Sequence, residues 1–237
     1  MISTDAEFLN RVINDPSVYP FVNLGVDGPL DAGPLLQHPG TIFLANEYGG
    51  FLLIACGNGI YDVHTQFLPE GRGIIARKFA RECLRHMFYG THCVALRTFV
   101  ATDNRQAAAM TLAMGFKRHH ADSLNGVTGM VYVLTIDDWI KSDPELVKRG
   151  EWFHTQLEDS GVVTNHDKDD EHDRYAGLAC EMALRGQVVK GAALYNMWCL
   201  ESGYVPITVI RETPAIVDIQ TALVKAVGGR IEVMSCQ

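Results

Sequence analysis

Several large protein classes are excluded by what the sequence lacks. No apolar run approaches the roughly 20 residues that a membrane-spanning helix needs. The N-terminus, Met1-Ile2-Ser3-Thr4-Asp5-Ala6-Glu7, carries acidic residues where a secretion signal carries basic ones, and no long apolar core follows. A cytoplasmic protein is the expectation. The six cysteines (Cys56, Cys83, Cys93, Cys180, Cys199 and Cys236) show no C-x-x-C spacing, so zinc-ribbon and disulfide-scaffold readings lack support. Buried thiols in a reducing compartment account for them better. Basic residues are scarce: 20 Lys and Arg stand against 28 Asp and Glu, for a net charge of −8. A nucleic acid is therefore not the expected partner. Internal repeats and low-complexity tracts are missing as well.

What is present suits a folded globular chain. Of 237 residues, 47% are hydrophobic and 20% charged, which is room for one large domain or two modest ones. The acidity is uneven. Residues 1–137 hold 10 basic and 12 acidic residues, whereas 138–237 hold 10 and 16, so the two parts have different surroundings.

Hydrophobic periodicity orders the first part. Thr4 and Glu7 form a capping-box pattern ahead of an apolar face of Phe8, Leu9, Val12 and Ile13, and Pro16 stops that helix. The Pro- and Gly-rich stretch 15–40 reads as an extended, turn-rich connection. Short apolar runs at Thr41–Asn46, Phe51–Cys56 and Ile60–Leu68, separated by glycine turns, make an antiparallel meander. From Ile74 to Phe88 the period becomes helical. Cys93–Val100 is expected to be a strand, Asn104–Met114 a helix closed by Gly115, and Phe116–His120 and Val127–Ile136 two more strands. Residues 137–170 are mixed and polar. Beyond them come a helix over Asp170–Arg185, a second over about Val188–Ser202, strands over Val205–Arg211 and Ala215–Val227, and a hairpin at Gly228-Gly229. The acidic run His166–Asp173 crowds oxygen and imidazole groups but lacks the calcium-loop pattern, and reads as a solvated loop leading into a helix, with no metal expected.

The stretch that carries chemistry is Phe67-Leu68-Pro69-Glu70-Gly71-Arg72-Gly73-Ile74-Ile75-Ala76. A strand ends, two glycines turn the chain, and a long helix begins, where the first amides are unpaired donors and the helix dipole adds partial positive charge. Glycine lets the backbone come close to a phosphate, so the junction suits a pyrophosphate. The helix start is locally basic, with Arg72, Arg77, Lys78, Arg81 and Arg85 against Glu70 and Glu82. On the preceding strand, alternation puts Asp62, His64 and Gln66 on one face. His64 titrates nearest neutral pH and is the first candidate for a general base, with Asp62 in reserve.

This loop, together with Asn104-x-x-Ala107 and the Gly115-Phe116 pair that follows, resembles the GNAT superfamily of acyl-CoA-dependent N-acyltransferases. The resemblance covers about residues 1–136, and His64–Ala76 is similar to phage-encoded GNAT-like proteins. It implies an α/β (α+β) fold with a mixed, mainly antiparallel sheet, and transfer of an acetyl or similar acyl group from acyl-CoA to an amine, on a small molecule or a protein. It further implies that the amides of Gly71, Arg72, Gly73, Ile74, Ile75 and Ala76 hold the pyrophosphate of acetyl-CoA. Phe67 and Leu68 would pair with the pantetheine arm as an added strand, and Asn104 would contact the cosubstrate. The sequence departs from the pattern at Glu70, where Gln or Arg is usual, at Ile75, and at Thr111, where many members carry the tyrosine that protonates the leaving thiolate. The alternative is a GNAT-fold structural or assembly protein, such as a phage virion component, with weak or no activity. The expected division is residues 1–140 as the acyl-CoA-binding domain, 141–165 as a linker, and 166–237 as a small α+β module for homo-oligomerisation or virion assembly. Localisation would then be the host cytoplasm or the virion.

Overall fold

A computed structural model describes residues 1–23, 25, 28–159, 170–202 and 223–224. The chain divides into two compact units. One gathers residues 1–88 and 92–139, and the other gathers Tyr89–Thr91 with the chain from Ile140 on.

The first unit begins with a short strand β1 (Ile2–Ser3) and helix α1 (Ala6–Ile13). The α1 cap is Asp5, whose Oδ1 accepts from the Phe8 amide at 2.8 Å, so the expected Thr4–Glu7 capping box is replaced by an aspartate one residue later. Residues 15–40 are not simply extended. They hold two short helices, α2 (Tyr19–Val22) and α3 (Gly33–Gln37). Asn10 of α1 and its C-cap Asn14 clip this stretch down: Asn14 accepts from the Leu30 amide at 2.7 Å and Asn10 from the Ala32 amide at 2.7 Å. Beneath them Leu9 and Ile13 pack with Phe43 and Leu52 of the sheet.

Strands β2 (Thr41–Asn46), β3 (Gly49–Gly57) and β4 (Ile60–Phe67) form the expected meander. Asn58 and Gly59 both take positive φ, 50° and 74°, which is what a tight hairpin turn between twisted strands requires. Helix α4 (Ile74–Gly90), strand β5 (Ala95–Ala101), helix α5 (Arg105–Ala113), and the hairpin β6 (Lys117–Leu124) and β7 (Val127–Thr135) follow, then α6 (Ile136–Ser142). The described strands make one sheet in the order β1-β2-β3-β4-β5-β7-β6, antiparallel at every contact except β4 with β5. It is the mixed, mainly antiparallel α/β sheet expected from the sequence. Apolar residues of α4 cover one face, where Phe79 stacks on Phe51 and meets Phe67 edge-on.

In the second unit the segment expected to be a linker contains helix α7 (Glu145–Asp159), which packs on α8 (Asp170–Leu184), and α8 packs on α9 (Val188–Ser202). The helices α7 and α8 cross with backbones in contact at two glycines: a Cβ on Gly150 would strike the Asp173 carbonyl, and one on Gly177 the Leu146 carbonyl. The end of the acidic run is not solvated. His172 and Asp173 are buried, with His172 Nε2 and the Tyr195 hydroxyl 2.7 Å apart and His154 Nε2 3.5 Å from Asp173 Oδ1. The residues before Asp170 in that run, and the strands and hairpin expected beyond residue 204, lie outside the described residues. The exceptions are Leu223 and Val224, which are helical where a strand was expected. Among the described residues no helix is long and apolar enough to cross a membrane.

Candidate functional site

The site lies where β4 and β5 part. The two strands pair only through Ile60↔Ala95, Tyr61↔Leu96 and Asp62↔Arg97. The Thr98 hydroxyl then donates to the Val63 carbonyl at 2.9 Å, and no strand pairing continues past that point. Since β4 runs on to Phe67 and β5 to Ala101, a wedge opens between them. In an antiparallel partner of β3, alternate residues of β4 turn their backbone groups outward. The Val63 carbonyl faces β5, so Thr65 and Phe67 share its orientation. The Phe67 carbonyl accepts from Arg72 Nε at 3.0 Å, and the Leu68 amide donates to the Tyr48 carbonyl at 2.9 Å. Of the strand-end groups, the open ones are therefore both backbone groups of Thr65 and the amide of Phe67. Leu68, expected to pair with a ligand here, has its amide committed, and the outward groups beside Phe67 are those of Thr65.

Past β4 the chain makes a 3-10 turn over Pro69–Gly71 before α4. Within it the Gly71 amide donates to the Leu68 carbonyl at 3.0 Å and the Arg72 amide to the Pro69 carbonyl at 3.3 Å. Two of the amides expected to face a phosphate are thus consumed by the turn. The amides of Gly73, Ile74, Ile75 and Ala76 have no acceptor within the described residues, as the first turn of a helix dictates. The glycines serve different ends. Gly71 is buried, and a Cβ there would strike the Tyr48 side chain at its Cβ. Gly73 takes φ +68° with open space around it, and lets the chain turn into the helix with its amides outward.

Arg72 does not offer its charge to the loop mouth. Its Nη2 donates to the Ser17 carbonyl at 2.7 Å, and with the Nε bond to Phe67 it ties the loop to both the strand end and the segment after α1. Asn104 is the N-cap of α5; its Oδ1 accepts from the Ala107 amide at 3.0 Å, leaving Nδ2 as the group open to a ligand.

A cavity of about 410 Å³ runs through the wedge, lined on its polar side by His64, Thr65, Gln66, Thr98, Asn104 and Thr111. Cross-strand register puts His64 opposite Leu52, on the face covered by α1. Burial pushes the His64 imidazole below its ordinary pKa, with the nearby Asp62 charge working in the other direction. Asp62 is held in a two-point ion pair by Arg97, at 2.6 and 2.8 Å. Burial would raise this carboxyl, but the hydrogen bonds from Arg97 and Cys56 and the Arg97 charge outweigh it and hold the group below its usual range. A carboxylate so engaged is a poor proton acceptor, which leaves His64 as the candidate base. Thr111 lines the cavity, and among the described residues no tyrosine does. The Cys83 thiol, also on the lining, is pushed by burial up to about 12 and stays protonated at neutral pH. One lining residue that sequence reasoning placed on the right face but did not single out is Gln66. It is 4% exposed, and its Oε1 has no hydrogen-bond partner. Among the described residues no cluster of three His, Cys, Asp or Glu side chains is arranged to hold a metal ion.

Comparison with known proteins places this geometry in a fold. No protein-family model matches the chain. No curated protein matches its sequence. Solved structures do match. The aminoglycoside acetyltransferase AAC(6')-Ib, solved with acetyl-CoA, aligns with a TM-score of 0.51 at 12% identity, over 61% of this chain and 96% of that one. A spermidine N-acetyltransferase from Vibrio cholerae, solved with CoA and spermine, aligns with a TM-score of 0.47 at 16% identity, over 57% of this chain and 92% of its own. The sheet and its helices form a GNAT-like acetyltransferase fold.

Proposed function

We propose that the protein is an N-acyltransferase that moves an acetyl or similar acyl group from acyl-CoA to an amine. The observation that carries this reading is the row of unpaired amides from Gly73 to Ala76 at the mouth of a wedge between two diverging strands. Those amides and the positive end of the α4 dipole suit a pyrophosphate. The outward backbone groups of Thr65 and the Phe67 amide suit the amides of a pantetheine arm laid along β4 as an extra strand. The exposed Arg77, Lys78 and Arg81 add positive potential around the helix start. A structure of the same fold was solved with acetyl-CoA, which supports the choice of cosubstrate.

When bound, the cosubstrate supplies a thioester carbonyl activated for direct attack by nitrogen. The chain's own residues do the rest. The wedge fixes the acyl group beside His64, which saves much of the entropy of bringing two reactants together. His64 takes the proton that the amine loses as its C–N bond forms, and burial keeps the imidazole neutral and ready for it at pH 7. The C–S bond breaks with its electrons on sulfur. A thiol has a pKa of about 8.5, so the thiolate can leave without a tyrosine acid and take its proton from water or from the His64 imidazolium. The Thr111 position is thereby consistent with turnover.

Calorimetric titration of acetyl-CoA, followed by detection of released CoA thiol with a mixed panel of amines, tests the reading. Saturable binding and amine-dependent thiol release are expected. No binding at millimolar acetyl-CoA overturns it, and binding without release from any amine points to the structural or assembly alternative.

A further inference from the structure

The cavity says more about the acceptor than about the acyl donor. Gln66 sits two residues beyond His64 on the same face of β4, about 6.6–6.8 Å further along the strand. Its cross-strand partner is Gly50, which has no side chain to meet it. A buried carbonyl oxygen without a donor is costly, and such atoms in folded proteins call for an explanation. Oε1 accepts and cannot donate, so the missing partner is an N–H or O–H group brought in by a ligand. The turn amides at the far side of the wedge already account for phosphate; the orphan acceptor beside the candidate base wants a different chemistry.

The surroundings narrow that chemistry. On the α1 side the lining is apolar at Leu9, Ile13, Phe21, Val22 and Leu30, with the neutral Asn23 among them. Among the described residues the lining holds no Lys, Arg or Glu, and its one carboxylate is Asp31. That carboxylate is exposed, and its Oδ1 already accepts from Asn10 Nδ2 and the Gly33 amide, each at 2.9 Å. A polyamine or an aminoglycoside carries several ammonium groups, each of which needs its own anion or water when it enters an enclosed site. Here a substrate would meet one exposed carboxylate and otherwise neutral side chains.

We propose that the acceptor is a single primary amine on an apolar body, its N–H held by Gln66 Oε1 within reach of His64 and its hydrocarbon or aromatic part against the α1 side of the cavity. The inference rests on the acyltransferase reading above. In it Gln66 is a binding residue that selects the amine, and His64 the residue that takes its proton: the amine nitrogen bonds to the acyl carbon, the thiolate departs, and the lost proton goes to His64.

The test uses the full chain with saturating acetyl-CoA and compares thiol release from phenethylamine and n-hexylamine with that from spermidine and kanamycin. The expected kcat/KM for the apolar amines is at least about tenfold higher. Gln66→Met, which keeps the volume and removes the acceptor, is expected to raise KM for phenethylamine about tenfold and to lower kcat less than about threefold, with acetyl-CoA affinity unchanged and Tm unchanged or raised. Gln66→Glu, which keeps an acceptor oxygen, is expected to hold KM within about threefold. Turnover of spermidine or kanamycin equal to or above that of the apolar amines overturns the inference, and so does an unchanged KM in Gln66→Met. If acetyl-CoA binds but the amines show no such order, the inference alone fails. If acetyl-CoA does not bind the wild-type chain, the acyltransferase reading fails and this inference with it.

Discussion

The Arg72 guanidinium bonds the Ser17 carbonyl, 55 residues earlier in the chain, at 2.7 Å, and with its Nε holds the Phe67 carbonyl at 3.0 Å. A residue that sequence reasoning assigned to the phosphate is thus the clasp of the loop between β4 and α4. The fork of the guanidinium spans two acceptors at once, which a lysine cannot do. Ser17 is itself fixed, since its amide and hydroxyl bond the Asp15 carboxylate at 2.8 and 2.5 Å and hold that carboxyl below its ordinary pKa.

Removing the clasp is therefore expected to act through loop order and not through charge. Arg72→Ala should lower stability by about 1–2 kcal/mol and weaken acetyl-CoA roughly tenfold. Arg72→Lys should recover little of either effect. Full recovery by lysine, measured by thermal melting and calorimetry, would show that the positive charge alone matters.

The two loop glycines should respond differently to alanine. At Gly73 the added methyl meets open space and the cost is that of a positive φ, about 1 kcal/mol. At Gly71 the methyl is driven into the Cβ of Tyr48, so a larger loss is expected, on the order of 1–3 kcal/mol. Melting curves that rank Gly73→Ala as the more damaging change would contradict the assignment.

His64 and Asp62 separate by pH dependence. A base works when deprotonated, so the rate should fall as the pH drops through the His64 pKa, which burial sets below the ordinary histidine value of 6.5. The profile should be flat around neutrality. The same lowered pKa makes stability fully present above about 6.5 and lost as the pH falls toward the folded-state value, because the unfolded chain binds the proton more readily. His64→Ala is expected to lower kcat about 10²–10⁴-fold and to abolish the acid limb, leaving acetyl-CoA affinity unchanged.

Asp62→Asn should keep that acid limb. Its partner Arg97 and Asp62 itself are partly exposed, at 46% and 33%, so solvent screening leaves the pair worth about 0.5 kcal/mol. A small loss of stability with near-normal turnover is expected from steady-state assays and melts. Loss of the acid limb in Asp62→Asn would move the base role to that carboxylate.

The frame of the sheet was legible because its signals are local. The meander follows from the short apolar runs Thr41–Asn46, Phe51–Cys56 and Ile60–Leu68 and the glycine turns between them, and α4 from the helical spacing after Pro69. The site was half legible. Motif reading found the loop and the strand, since Gly71 and Gly73 mark the turn whatever surrounds it. Which amides stay free was not legible, because the Gly71 and Arg72 amides are taken by a turn whose hydrogen bonds depend on the φ and ψ of Pro69 and Glu70. Partners distant in sequence were hidden too: Ser17 for Arg72, Arg97 for Asp62, and the empty place opposite Gln66 at Gly50. The burial of His172 and Asp173 escaped for the same reason. The run looks hydrophilic, and its end is enclosed by the approach of α7 at Gly150 and by Tyr195 and Trp198 of α9.

The central claim is that the amides from Gly73 to Ala76 receive the pyrophosphate of acyl-CoA. Backbone amide resonances followed by NMR during a titration with CoA report on those groups one by one. The largest saturable shifts are expected at Gly73, Ile74, Ile75 and Ala76, smaller ones at Thr65 and Phe67, and little change at Gly71 and Arg72. A full titration that leaves Gly73–Ala76 unmoved, or that places its main shifts away from the β4–α4 junction, would contradict it.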